Sequence, residues 1–168
     1  LTVSISAFAL PGDMNFSASV NVSGLSADYS VNLVVVVIRG VGAANFPFPR
    51  STDLVGGGAG WTTLTCSQSM ANYQDGDTFY AIVEVRTAAG ADIPGTAVAA
   101  HVLIDDASIT FNGIEQLSNG DFETGSLDDD FSIIAGKTGW YPPCVGQANA
   151  GIAAVTTAAA HAGVYGLD

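Results

Sequence analysis

Residues 16–23 alternate without exception. Phe16, Ala18, Val20 and Val22 are apolar, and Ser17, Ser19, Asn21 and Ser23 are polar. A period of two puts these sets on opposite faces of an extended strand, one against a core and one towards water. A helix would scatter the same residues around its circumference. Pro11-Gly12-Asp13 before the run and Gly24 after it supply turn chemistry at both ends.

The rest of the chain extends this pattern. Residues 30–39 form a second expected strand, whose unbroken apolar stretch from 33 to 38 implies burial on both faces. Residues 61–67, 78–87 and 98–111 are three more. A long Gly- and Pro-rich loop is expected over 40–60, where Gly56-Gly57-Gly58 cannot hold regular structure. Residues 153–160 are nearly all Ala, Thr and Val, and they read as a loop leading into a strand that starts at His161. Short strands at this spacing, without helical periods, indicate an all-β chain folded as an antiparallel jelly-roll β-sandwich.

The composition excludes several functions. The formal net charge is −12, and Arg39, Arg50, Arg86 and Lys137 are the four basic residues. Binding nucleic acid needs clustered Lys and Arg, so nucleic acid is excluded as a partner, and an anionic membrane surface is disfavoured for the same reason. No apolar run reaches the roughly 18 to 20 residues of a membrane span, so no membrane insertion is expected. Cys66 and Cys144, in a Lys-poor and Ser/Thr/Gly-rich chain, favour a disulfide and an oxidising exterior, with two free thiols as the alternative. No nucleophile motif accompanies His101 or His161. Asp105 and Asp106 are neighbours on a strand and face opposite sides, so a non-enzymatic role is expected. Asn15-Phe16-Ser17 and Asn21-Val22-Ser23 are N-glycosylation sequons that matter only in a glycosylating host.

The last residues also match the first. Tyr165, Leu167, Leu1, Val3 and Ile5 would share one face if residue 168 ran on into residue 1, and no register slip interrupts the pattern. The expectation is one period of a repeating array, in which residues 1–112 form the C-terminal portion of one module and 113–168 the N-terminal portion of the next. The partners are then identical copies, linked as a covalent tandem or by strand exchange between separate chains.

Three motifs carry a family resemblance. Asn119-Gly120-Asp121-Phe122-Glu123 resembles the Asn-Gly-X-Phe-Glu opening of the jelly-roll carbohydrate-binding modules appended to xylanases and glucanases, with Gly139-Trp140 following as the family's Gly-Trp. His161-Ala162-Gly163-Val164-Tyr165-Gly166-Leu167 is similar to that family's His-X-Gly-X-X-X-Leu strand, and Ile104-Asp105-Asp106-Ala107-Ser108 to its closing Ile-Asp-Asp-Val-Ser. The order is circularly permuted, and reading 119–168 and then 1–111 restores a whole module. Asp128-Asp129-Asp130 and Pro142-Pro143-Cys144 fit no family pattern, and the Gly-Trp lies further from Phe-Glu than is usual.

The resemblance implies a structural calcium (Ca2+) held by Glu123 and by Asp105 or Asp106, with Asp106 favoured. Asp121 and the backbone around Asn119 would complete a shell of hard oxygens. Turn-capping carboxylates are the alternative for Asp105, Asp106 and Asp121. The resemblance also implies polysaccharide binding on aromatic platforms. Trp61, Trp140, Tyr141, Tyr80 and Phe48 are the candidates, with Gln68 or Gln147 as polar partners. The functional expectation is a structural unit of an extracellular filament or cell-surface adhesin. The alternative is a carbohydrate-binding module of a secreted polysaccharide-degrading enzyme.

Overall fold

The computed structural model describes residues 5–6, 12–39, 51–56, 60–69, 77–87, 100–115, 117, 120–125 and 155–168. For 5–6, 36–39 and 77–81 it describes the backbone alone. The described chain is built of ten strands: β1 (Ile5–Ser6), β2 (Asp13–Ser23), β3 (Tyr29–Arg39), β4 (Leu54–Val55), β5 (Thr62–Ser69), β6 (Asp77–Thr87), β7 (His101–Phe111), β8 (Ile114–Glu115), β9 (Val155–Thr156) and β10 (Gly166–Leu167). One 3-10 turn, Thr157–Ala159, is the only helical element among the described residues. None of the described helices is long and apolar enough to cross a membrane.

All strand pairs are antiparallel, and they form two sheets. The smaller sheet runs β1-β6-β3-β4, and the larger runs β5-β2-β7-β10-β9 with β8 also on β7. The all-β expectation therefore holds. The alternation in β2 does what its period requires: Met14, Phe16, Ala18, Val20 and Val22 enter the core. They meet Val31, Leu33 and Val35 of β3, Leu64 and Cys66 of β5, and Ile104 and Ile109 of β7 in one cluster. On the other face of β3, Ser30, Asn32 and Val34 are buried as well, as the unbroken apolar run implied. Segment 51–56 lies beside them. Ser51 Oγ accepts from the Leu33 amide at 2.9 Å, and Asn32 Nδ2 donates to Asp53 Oδ1 at 2.7 Å.

Three differences from the expected elements have local causes. A two-residue strand, β4, sits inside the region expected to be loop, paired with Ser30 and Val31. Asn112 and Gly113 both take positive φ, 49° and 77°, so β7 turns directly into β8 through a two-residue hairpin. Residues 161–164 are not strand. They form a bend that runs into β10, and the 3-10 turn precedes them. The Thr156 hydroxyl caps that turn by accepting from the Ala158 amide at 3.0 Å.

Gly166 and Leu167 lie in the larger sheet, whereas Ile5 and Ser6 pair with Phe79 and Thr78 in the smaller one. Residues 1–4 lie outside the described residues. Leu117, Phe122 and Leu167, all beyond residue 112, join the same core cluster as Phe16 and Ile109.

Candidate functional site

Segments 104–108, 120–123 and 161–167 converge along β7. That strand carries a β-bulge. Ser17 of β2 faces Ser108 and Ser19 faces Asp105, so two β7 residues, Asp106 and Ala107, oppose the single Ala18. Asp106 takes the left-handed conformation with φ 48°. The bulge turns two adjacent carboxylates to different sides, leaving Asp105 fully enclosed and Asp106 half-exposed.

Asp105 holds the bend. Its Oδ2 accepts from the amides of His161 (2.7 Å) and Ala162 (3.0 Å), and its Oδ1 from the amide of Asp106 (2.8 Å). Glu123 does the same from the other side, with Oε1 accepting from the amides of Val164 (2.7 Å) and Tyr165 (2.9 Å). Two carboxylates thus satisfy four consecutive-pair amides in a segment without a ladder of its own. The motif glycines follow from this closeness. A Cβ on Gly163, at φ 69°, would lie 2.3 Å from Glu123 Oε1, and one on Gly120 would lie 1.8 Å from the Ala107 carbonyl oxygen. Gly120 returns that contact by accepting from the Ala107 amide at 2.7 Å. Phe122, between Gly120 and Glu123, is fully buried at φ 56° and anchors the clip in the core.

Beyond the bend, Leu167 pairs with Ile104 and is buried, and β10 pairs on its other side with β9. His101 Nδ1 approaches both Asp168 carboxylate oxygens, at 3.0 and 3.1 Å. His161 Nδ1 stands 2.7 Å from Asp106 Oδ2, which also accepts from Ser19 Oγ at 3.3 Å. The Trp61 ring, half-buried at the start of β5, is tilted 4.9 Å from the His161 ring. Nucleophilic catalysis requires the imidazole between hydroxyl and carboxylate. Here the carboxylate lies between hydroxyl and imidazole, so this trio does not activate Ser19.

The residues named for calcium can now be compared with what an ion needs. Asp105 is enclosed and its lone pairs are taken by three amides. Glu123 Oε1 is committed to two more. Asp121 is exposed, and its Oδ1 accepts weakly from the Glu123 amide at 3.4 Å. Among the described residues no three His, Cys, Asp or Glu side chains are grouped to hold a metal. Asp105 and Glu123 therefore serve as amide acceptors, the favoured Asp106 is half-exposed with its Oδ2 beside His161 and Ser19, and Asn119 lies outside the described residues.

Of the aromatic candidates, Trp61 alone has a described side chain. Tyr80 is placed in β6 by its backbone, and Trp140, Tyr141, Phe48 and Gln147 lie outside the described residues. Gln68 lies on β5, and its Nε2 donates to the Ser69 carbonyl. Cys66 is buried in the core, and Cys144 lies outside the described residues. Sequence reasoning missed Glu115, which accepts from Ser108 Oγ and from the amides of Ile109 (3.0 Å) and Leu117 (2.8 Å). An acidic residue just after an Asn-Gly turn was the available signal. Compared with protein-family models, curated proteins and solved structures, the chain finds no match.

Proposed function

We propose that this chain is a structural unit of an extracellular filament or large surface adhesin, built on a jelly roll of the carbohydrate-binding-module kind. Residues 155–168 serve as the joint between copies. The observation that carries the reading is the way this segment is held. It enters the larger sheet beside β7 and plugs the core with Leu167. It is gripped mainly through main-chain amides by Asp105 and Glu123. Every one of these contacts is satisfied equally well by the segment of the same chain or of a neighbouring copy, which is the condition for exchange. A joint that shares a core and a sheet is far stronger than surface docking.

The test uses the exposed pair His101 and Asp168, whose side chains meet at 3.0 Å. In a Cys144→Ser background, His101→Cys with Asp168→Cys is oxidised and run on a non-reducing gel. A ladder of covalently joined copies is expected. Monomers closed by an internal disulfide would overturn the proposal.

The carbohydrate-binding reading rests on a different observation, the half-buried Trp61 beside His161, whose ring in turn meets Asp106. An aromatic face next to polar groups suits a sugar ring. On that reading the protein is monomeric and is retained on insoluble xylan or glucan, and Trp61→Ala abolishes retention.

A further inference from the structure

Both sequons of this chain lie on β2, six residues apart, and the strand's period gives them one orientation. In an extended N-x-S, the Asn and the Ser share a face and the middle residue takes the other. Here the middle residues, Phe16 and Val22, are core residues at 0% and 2% exposure. Asn15, Ser17, Asn21 and Ser23 consequently all belong to the outward face. Asn15 and Ser23 are exposed, and Ser17 and Asn21 are half-buried.

The neighbourhood of that face suits a bulky substituent. Ser67 Oγ donates to Asn15 Oδ1 at 2.6 Å, which fixes the amide oxygen towards β5. The Nδ2 of Asn15 and that of Asn21 have no protein acceptor among the described residues. Beside β2, strand β5 has no charged residue, and across from Ser19, Ser17 and Asn15 it presents Thr63, Thr65 and Ser67. In a chain of net charge −12, the β5 side of this face is an uncharged hydroxyl surface, and on the β7 side the His101–Asp168 pair lies across from Ser23. Six residues of strand separate the two amides by about 20 Å, so two substituents do not collide.

We infer that Asn15 and Asn21 are N-glycosylation sites, and that the outer face of the larger sheet is the glycan-bearing face of this protein. The chemical partner is a lipid-linked oligosaccharide. Asn Nδ2 attacks the anomeric carbon of its first sugar, and a carbon–nitrogen bond forms. The bond from that carbon to the carrier's pyrophosphate oxygen breaks, the lipid pyrophosphate leaves, and the amide gives up one proton. Because β2 is paired on both sides, by β5 and β7, its backbone is closed to an enzyme once folded. Transfer therefore precedes the pairing of β2, while the chain is still extended and emerging. The substituents then stay outside the core and leave the fold unchanged.

The inference rests on the extracellular part of the proposed function and not on filament assembly. The experiment is glycopeptide mass spectrometry on native protein isolated from its source, with fragmentation of the peptides that contain residues 15 and 21. Most copies are expected to carry a sugar chain on each Asn. Asn15→Gln and Asn21→Gln, expressed in the same source, should each remove one chain's mass without moving the melting temperature. Recovery of both peptides mainly in unmodified form would overturn the inference. Filaments with bare Asn15 and Asn21 refute the glycan face alone, whereas glycosylated monomers refute the filament alone.

Discussion

Asp105→Asn is the sharpest probe of the clip, because it changes charge and donor pattern without changing shape. The carboxylate accepts three amides from inside a fully enclosed position. An asparagine offers one oxygen and must aim its NH2 group at a remaining donor. With the oxygen kept towards His161 and Ala162, the new NH2 faces the Asp106 amide, and one buried donor goes unsatisfied at a cost of about 1–3 kcal/mol. The two retained bonds fall from charge-assisted to neutral, losing about 1 kcal/mol each. The total is roughly 3–5 kcal/mol. For a chain of 168 residues, each kcal/mol corresponds to about 2–4 °C, so the melting temperature should drop by roughly 6–20 °C. Calorimetry measures the drop, and amide exchange should localise the added opening to residues 161–165. A loss under about 1 kcal/mol, with the His161 and Ala162 amides still protected, would refute the reasoning.

Three further outcomes follow from the same geometry. Gly163→Ala adds a Cβ against Glu123 Oε1 at positive φ, and it should lower stability by about 1–3 kcal/mol in urea unfolding, with the effect largely absent in a Glu123→Ala background. Phe122→Ala empties a fully buried site and should cost about 3–5 kcal/mol by the same measurement. Calcium titration followed by melting should shift the transition by no more than about 1–2 °C, since the carboxylates are engaged with amides. A site of about 10 μM dissociation constant would add about 2.7 kcal/mol at 1 mM calcium, an easily seen rise.

The sequence made the strands legible wherever one face was wet. In β2, and in the outer half of β5, polar and apolar residues alternate, and both strands lie within three residues of where the alternation puts them. The unbroken run in β3 was also legible, because burial on both faces leaves no polar positions to place. The bend at 161–164 was not, because its conformation is set by Asp105 and Glu123, 56 and 41 residues away in the chain. The bulge at Asp106 was equally hidden, since one extra residue in a ladder has no local signature when it is not glycine. The motif residues were recognised as a group, but the sequence does not distinguish a carboxylate that binds an ion from one that binds amides. Here Asp105 and Glu123 accept amides.

The clip at 161–165 has a consequence for how such chains can diverge. It grips peptide groups, which every residue except proline supplies alike. Ala162 and Val164 can therefore be replaced by almost anything, while Gly163 and the two distant acids must stay. Inheritance of this joint would show itself as a glycine and two carboxylates at widely separated positions, in a background free to drift. Two descendants could keep an interchangeable joint after nearly every side chain around it had changed.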